Sequence, residues 1–195
     1  MESVGKKYNI IYADPPWQFK VWSNRGMSRS AENHYSTQSL QSLTAFNIPA
    51  ICENDCVLLM WATFPCLKGA LELAEAWGFV YKTVAFTWIK QNKNNEKLFK
   101  GMGYYTRANA EVVLLFTKGK PLKRICRNVE QVLISKRDKH SKKPREIRER
   151  IVNLFGDVPR VELFARSCES LFPNEEFEGW DVFGNEVSSS IKLPD

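Results

Sequence analysis

A strand-like run that ends in two consecutive prolines most constrains what this chain can fold into. The run Tyr8–Ala13 is rich in β-branched and aromatic residues, which is typical of a buried strand. Pro15 and Pro16 then end it, because proline cannot donate a hydrogen bond to a neighbouring strand. Asp14 and Trp17 are therefore predicted to lie at the carboxyl end of a strand, which is the edge of an open α/β sheet where ligands bind.

The same four residues suit chemistry on a planar amine. Asp14 can accept a hydrogen bond from an exocyclic amino group, the carbonyl of Pro15 can accept the second hydrogen, and Trp17 offers an aromatic face on which a base can stack. These contacts would orient the nitrogen lone pair outward. The alternative is purely structural: Asp14 caps a turn and Trp17 fills a gap beneath a loop, since Asp before Pro is common in turns.

With Ala-Asp-Pro-Pro-Trp at 13–17, the chain resembles the adenine-N6 methyltransferases of the adenosine-methyltransferase-subunit (MT-A) type, whose signature this is. Further matches follow in the family's order, namely His-Ser-x-Lys-Pro at 140–144, Glu-Leu-Phe-Ala-Arg at 162–166, Gly-Trp-Asp at 179–181 and Gly-Asn-Glu at 184–186. The resemblance implies one Rossmann-like α/β domain over residues 1–195, with a mainly parallel, doubly wound sheet. Its motif order is permuted, with the catalytic motif before the donor-binding motif. The implied methyl donor is S-adenosylmethionine.

The resemblance also implies roles for residues at matched positions. Lys143 corresponds to the lysine that reaches the donor's carboxylate, and the residues at the C-terminal motifs would contact the ribose and nearby atoms. The implied cofactor-binding set is Asp14, Lys143, Arg166, Asn185 and Glu186, and the catalytic set is Asp14, Pro15, Pro16 and Trp17. Implied substrate-binding residues are Tyr35, Trp61 and Glu111. Without the resemblance, Trp61 is more simply a core residue, and the last motif a terminal strand with a turn.

Strand-like and helix-like segments alternate in the middle of the chain. The apolar run Cys56–Ala62 has the length of a strand, Cys66–Trp77 has apolar residues at helical spacing, and Lys82–Lys90 is strand-like again. This alternation predicts a parallel sheet with helical crossovers. Further expected elements are a helix capped by Ser39 and running to about Phe46, a strand at Val112–Thr117, a helix at Arg145–Phe155 and a strand at Arg160–Ala165.

Two polar stretches are predicted to be loops over the site. Residues 18–38 are too long for a tight turn and are expected to form an active-site loop, although a disordered surface loop would look the same. Residues 91–110 are expected to form a flexible loop that faces the substrate. Within it Tyr104, Tyr105 and Arg107 could stack on or clamp nucleotides, or simply pack within the loop. The spacing of Gly101 and Gly103 is not that of a phosphate-binding loop.

The positive charge is concentrated in one part of the sequence. The formal net charge is +6, and residues 118–150 carry thirteen Lys/Arg against four Asp/Glu. A run of this kind is usually a solvated face, but an acidic partner such as nucleic acid also fits. We therefore predict that the basic segment 118–143 lies beside the active site and grips phosphates. Its candidate contacts are Lys123, Arg124 and Arg127.

The cysteines and the hydropathy pattern point to a cytoplasmic protein. Five cysteines without paired CxxC motifs are typical of reduced thiols, and the spacing of Cys52, Cys56 and Cys66 does not fit a familiar zinc site, so no metal is expected. No stretch of about 18 uncharged apolar residues predicts a membrane span.

Together, these features lead us to expect methyl transfer from S-adenosylmethionine to adenine N6 in nucleic acid, with DNA favoured over RNA. The alternatives are an RNA adenosine methyltransferase, an enzyme acting on a protein amide, and a catalytically silent, nucleic-acid-binding subunit of an active partner. Amide-directed enzymes favour Asn where this chain has Asp14, which argues for adenine. Silent relatives usually lose the Asp-Pro-Pro-Trp motif, so its presence here argues for activity. A homodimer or a partner subunit is left open.

Overall fold

The computed structural model describes residues 5–17, 37–138, 142–166 and 177–194. These residues contain a seven-stranded sheet with three α-helices. The strands are β1 (Tyr8–Ala13), β2 (Cys52–Ala62), β3 (Val80–Gln91), β4 (Ala110–Lys118), β5 (Val132–Lys136), β6 (Arg160–Leu163) and β7 (Asp181–Phe183). The helices are α1 (Leu40–Thr44), α2 (Leu67–Ala76) and α3 (Glu146–Phe155), with short 3-10 turns at Ile48–Ile51 and Phe64–Cys66.

The central strands bury side chains on both faces of the sheet, because successive residues of a strand point in opposite directions. In β2, Leu58 and Met60 pack on one face with α1 and α2, while Leu59 and Trp61 pack on the other face with α3. Helices therefore cover both faces, as the predicted doubly wound class requires. None of the described helices has the length and apolar character needed to cross a membrane.

The sheet order is β5-β3-β4-β2-β1-β6-β7, and four of the six neighbouring strand pairs in the described residues are parallel. The predicted mainly parallel α/β class is confirmed. One departure matters: β4 runs antiparallel between β2 and β3. The reason is that β3 returns directly through residues 92–109 into β4, and two strands joined without a crossover must run in opposite directions.

Local signals place the helix ends close to where the sequence predicts them. The side chain of Ser39 accepts a hydrogen bond from the Ser42 N–H at 3.1 Å and so caps α1. Gly78 adopts φ of 79° and follows the end of α2, a conformation that favours glycine.

The sequence did not predict β5, which lies inside the basic segment 118–143. It pairs in parallel with β3 along the edge of the sheet, with Thr87 opposite Val132 and Gln91 opposite Lys136. Leu133 is buried in β5, whereas Val132 and Ile134 are exposed. Such a short edge strand with one buried residue gives a weak hydrophobic pattern, and the surrounding charges obscured it.

Candidate active site

Two carboxylates from distant parts of the chain meet at one edge of the sheet. Asp14 follows the carboxyl end of β1, which pairs in parallel with β2 through Ala13 and Met60. Glu111 is the second residue of β4, whose amino end lies against the carboxyl end of β2 because Val112 pairs with Ala62. The predicted position of Asp14 at the carboxyl end of a strand is therefore confirmed.

Two lysines join these carboxylates into an alternating set of charges. The Lys143 Nζ donates to both carboxylate oxygens of Asp14 at 2.8 Å and lies 3.6 Å from Glu111 Oε2. The Lys90 ammonium donates to the other side of Glu111. The four side chains are only 14 to 19% exposed. We call Asp14, Lys143, Glu111 and Lys90 the charge network.

The charges stabilise one another against the effect of burial. Burial alone would raise the pKa of Glu111, but the ammonium groups of Lys143 and Lys90 together lower it below its ordinary value. Burial likewise would lower the pKa of Lys143, but the carboxylates of Asp14 and Glu111 raise it above its ordinary value. The network therefore holds Lys143 as a cation at the side of Asp14.

The two tryptophans of the site lie beneath it. The Trp17 indole N–H donates to the carbonyl of Trp61 at 3.0 Å, and its side chain belongs to the core and leaves the residue only 9% exposed. Trp61 is fully buried, donates to the Tyr12 hydroxyl and lies 5.4 Å below the Lys143 Nζ, measured to its ring centroid. This placement differs from the open stacking face that the sequence predicts for Trp17, because the ring packs against α2 near Gly69.

The backbone of the proline motif is fixed at three points. The Asp14 N–H donates to the carbonyl of Leu163 in β6, and the Gln38 N–H donates to the carbonyl of Pro16 at 2.9 Å. The Pro15 carbonyl accepts a hydrogen bond from the Trp17 N–H at 2.8 Å. A carbonyl oxygen has two lone pairs, so Pro15 keeps one acceptor position for an amine.

A pocket of about 300 Å³ adjoins the motif. Its lining brings the second proline together with predicted donor-binding residues from the motifs at 162–166 and 184–186, namely Pro16, Arg166, Asn185 and Glu186. Phe164, also in the lining, has φ of 60°, and a Cβ at Gly184 would lie 2.2 Å from the Ala165 carbonyl oxygen. Only glycine allows this close approach of the two segments.

The pocket has the donor set expected for S-adenosylmethionine. The positive charge of Arg166 acts on Lys143, which connects the pocket electrostatically with the charge network. Within the lining, the guanidinium of Arg166 suits a carboxylate, while the amide of Asn185 and the carboxylate of Glu186 suit hydroxyl groups. The residues present therefore fit the methyl donor. Within the described residues, no group of three or more His, Cys, Asp or Glu is arranged to hold a metal ion.

The remaining predicted residues fall outside this constellation. Tyr35 and residues 18–36 of the predicted active-site loop lie outside the described residues, as do His140 and Ser141. Tyr104, Tyr105 and Arg107 are exposed on the connection between β3 and β4. That connection is a loop without regular strand or helix, held by backbone hydrogen bonds such as the one from the Gly101 N–H to the Ala108 carbonyl, and its contact with a substrate stays a prediction.

The structure divides the basic segment: its end at Lys143 contacts Asp14, whereas the part that contains the candidate phosphate contacts lies elsewhere. β4 ends at Lys118, opposite Cys56 at the start of β2, so the chain leaves the sheet at the edge opposite Asp14. The Ile125 N–H then donates to the Leu154 carbonyl near the carboxyl end of α3. The exposed candidates Lys123, Arg124 and Arg127 surround this point, away from the charge network. They lie there because β4 runs antiparallel to β2, a direction that the alternation of strands and helices did not predict.

Sequence reasoning also missed Lys90. In the sequence Lys90 marks only the end of a predicted strand, whereas in the structure it completes the charge network through Glu111. The available signal was its position: a charged residue at the carboxyl end of a predicted strand lies on the same edge as Asp14.

This fold, with an acidic motif at a strand end beside a polar pocket, is that of a Rossmann-like methyltransferase. The MT-A70 family model matches residues 8–186, and the chain belongs to that family. It is 38% identical to the type II methyltransferase M.MunI of Mycoplasma sp, over 97% of this chain and 82% of that protein. It is 25% identical to the human N(6)-adenosine-methyltransferase catalytic subunit METTL3, over 95% of this chain and 29% of that protein. It is 29% identical to the mouse N(6)-adenine-specific methyltransferase METTL4, over 94% of this chain and 38% of that protein.

Proposed function

We propose that this protein transfers a methyl group from S-adenosylmethionine to N6 of adenine, with DNA as the nucleic acid. The observation that carries the proposal is the position of Asp14 at a strand end, where it belongs to the charge network and lies two residues before Pro16, which lines the pocket with Arg166 and Asn185. Membership of the MT-A70 family supports the reaction, as do relatives described as N(6)-adenine-specific and N(6)-adenosine methyltransferases.

The preference for DNA rests on the extent of the similarity. The chain aligns with most of the type II methyltransferase but with a small part of the METTL3 catalytic subunit. An RNA adenosine methyltransferase is the second candidate, supported by the name of that more distant relative.

The chain's own residues would act mainly by positioning. Asp14 and the Pro15 carbonyl accept the two amino hydrogens, which turns the nitrogen lone pair toward the pocket. When bound, S-adenosylmethionine supplies a methyl group on a sulfonium, which is a good leaving group. Lys143 and Arg166 would hold its carboxylate, and Asn185 and Glu186 its hydroxyl groups. Correct orientation of two reactants can contribute about 7–11 kcal/mol to a rate.

Lys143 has a second task in this arrangement. Its ammonium contacts both oxygens of Asp14, which holds the carboxylate in one orientation. Each carboxylate oxygen retains further acceptor capacity, so an amino group can bind without displacing the lysine. Glu111 in turn restrains Lys143 from the opposite side.

The test compares Asp14→Ala with Asp55→Ala. Asp55 lies near the start of β2, at the opposite edge of the sheet, where its carboxylate accepts the Lys120 N–H. DNA and RNA from expressing cells are digested and N6-methyladenine is measured by mass spectrometry, and turnover is measured with purified proteins. Asp14→Ala should abolish methylation with the fold intact, and Asp55→Ala should remain active.

A purified Asp14→Ala variant that keeps more than about a tenth of wild-type turnover would show that the assigned centre is wrong, since that corresponds to a loss below about 1.4 kcal/mol. Activity of the wild type on RNA alone would favour the second candidate. A wild type without activity on either nucleic acid would support the silent-subunit alternative.

A further inference from the structure

The connection between β3 and β4 is a hairpin loop whose two ends lie beside the charge network. It comprises residues 92–109, and we call it the β3–β4 hairpin. The Lys90 N–H donates to the Asn109 carbonyl and the Phe99 N–H donates to the Lys90 carbonyl, both at 2.8 Å. Lys90 and Glu111 flank the hairpin and belong to the charge network. The hairpin therefore leaves the sheet at the edge that carries Asp14.

The tip of the hairpin is tightly built. The Gly101 N–H donates to the Ala108 carbonyl at 2.9 Å, and a Cβ at Gly101 would lie 2.5 Å from the Ala108 carbonyl oxygen. A Cβ at Gly103 would lie 2.1 Å from the carbonyl oxygen of Thr106. Both distances are shorter than any real side chain permits. Gly101 and Gly103 lack the spacing of a phosphate-binding loop. The close approach of the backbone at the tip instead accounts for a glycine at each position.

The tip presents aromatic surface to solvent. Tyr105 is 92% exposed, and Met102 and Tyr104 beside it are also exposed. The two tyrosine rings meet edge to face with centroids 4.8 Å apart and an interplanar angle of 84°. Edge-to-face contact is a favourable arrangement for aromatic rings, so Tyr104 restrains the ring of Tyr105. A cluster of exposed large side chains on one tip is typical of an interaction site.

Positive charge surrounds this aromatic tip. The exposed charged side chains of the hairpin are four cations and one acid, namely Lys93, Lys97, Lys100, Arg107 and Glu96. The Arg137 guanidinium lies 3.8 Å from the centroid of the Phe99 ring, which joins the hairpin to the end of β5. An aromatic tip with cationic flanks matches the stacked bases and phosphates of a nucleic acid.

We propose that Tyr105, supported by Tyr104, is a wedge that enters the base stack of duplex DNA when the target adenine leaves the helix. This inference rests on the proposed function and specifies its substrate as a duplex. An enzyme that modifies a base atom must take the base out of the duplex, which costs a few kcal/mol. A wedge side chain that stacks in the vacated space offsets part of that cost. The hairpin is suitably placed because it rises from the edge that must receive the flipped base.

The experiment uses one target sequence in three forms: a duplex, the same strand alone, and a duplex with an abasic site opposite the target adenine. We compare Tyr105→Ala with Tyr105→Phe, which keeps the ring, and with Ile125→Ala as the matched control. Ile125 is equally an exposed apolar residue, but it lies at the opposite edge of the sheet. Fluorescence of 2-aminopurine at the target position reports extrusion of the base independently of methylation.

Tyr105→Ala should lower kcat/KM on the duplex about 5-fold to 150-fold, because stacking of one base is worth about 1–3 kcal/mol. The loss should be smaller on the abasic duplex, where no pairing opposes extrusion, and within about twofold on the single strand. The 2-aminopurine signal on the duplex should fall in parallel. Tyr105→Phe and Ile125→Ala should behave as the wild type. Gly103→Ala, which keeps both tyrosines but disturbs the tip, should share the duplex-specific loss.

An equal loss on duplex and single strand would overturn the wedge, because Tyr105 would then bind nucleotides without acting on pairing. Unchanged duplex activity and 2-aminopurine signal in Tyr105→Ala would also overturn it, as would a wild type that methylates single strands alone. A wild type that extrudes 2-aminopurine through Tyr105 but methylates nothing would support the wedge while contradicting the proposed function.

Discussion

Removal of the Glu111 charge should destabilise the protein more than removal of any ordinary surface carboxylate. Glu111 is 15% exposed and lies between two ammonium groups, one in hydrogen-bond contact and the other 3.6 Å away. A pair of charges at about 4 Å attracts with about 4 kcal/mol at an effective dielectric constant of about 20. In Glu111→Gln, residue 111 no longer attracts Lys143 and Lys90. It also no longer repels Asp14, and this second effect offsets part of the lost stability. Truncation of one member of a buried ion pair typically costs about 3–5 kcal/mol, and we expect about 3 kcal/mol here.

The matched control is Glu72→Gln. Glu72 pairs with Lys68 one turn away on α2 at 3.7 Å, and its side chain is 48% exposed. Such a pair contributes only about 0.3–0.5 kcal/mol. In urea unfolding, Glu111→Gln should lower the midpoint by about 1 M or more, given a slope of about 1–3 kcal/mol per molar, and the control should barely move it.

The destabilisation should also depend on pH with a defined sign. The folded-state pKa of Glu111 is lowered by its lysine partners, so its stabilising contribution is complete above the unfolded value of about 4.3 and is lost as the pH falls through the folded value. The difference in free energy of unfolding between wild type and Glu111→Gln should therefore be largest at pH 7 and become smaller under acid conditions. A variant within about 0.5 kcal/mol of the wild type at pH 7 would refute the role of the network, as would a gap that persists unchanged in acid.

Two further predictions concern the ligands. An alanine substitution of Lys143, Arg166 or Asn185 should weaken S-adenosylmethionine binding by about 1–3 kcal/mol in calorimetry, because a hydrogen bond to a charged or ribose group is lost. The control is Lys192→Ala, which changes an exposed lysine. Unchanged affinity in all three variants would contradict the proposed donor pocket. On duplex DNA, neutralising the three hairpin lysines should flatten the slope of log affinity against log salt by about two to three units, since each phosphate contact contributes about 0.9. Neutralising Lys123, Arg124 and Arg127 should change that slope by less than about one unit, because they lie at the opposite edge of the sheet. The reverse ranking would return the phosphate grip to the basic segment, and a changed methylated motif in either triple variant would show that these residues read bases.

Features that depend on a short stretch of sequence could be predicted. Tyr8–Ala13 forms β1 because its own residues favour a strand, and two prolines must end a strand wherever it lies. The position of Asp14 at the ligand-binding edge then follows from general rules for α/β sheets. The pocket that we propose for the donor follows from the resemblance and not from local sequence, since Pro16 and Asn185 are brought together by long-range strand pairing.

The environment of Trp17 shows why other features could not be predicted. Its burial depends on Trp61 in β2, whose carbonyl accepts the indole N–H, and on α2, where Gly69 lies against the indole ring. Neither neighbour is near Trp17 in sequence. A tryptophan after two prolines can face a ligand or the core, and only the packing of α2 on the sheet decides between them.

Charge is the clearest case in which composition indicates a partner but not a surface. The edge of the sheet on which a run of cations lies cannot be assigned until the directions of the strands before and after it are known. β4 carries the chain from the Asp14 edge to the opposite edge, so the cations that follow it, around Ile125, are displaced from the site. β5 runs parallel to β3 and returns the chain, and only from Lys136 onward do basic residues again approach the catalytic edge, where Gln91 pairs with Lys136. The directions of β4 and β5 therefore decide which cations lie near Asp14. The residues of 92–109 and the end of the basic segment from Lys136 to Lys143 share that edge, while Lys123, Arg124 and Arg127 do not.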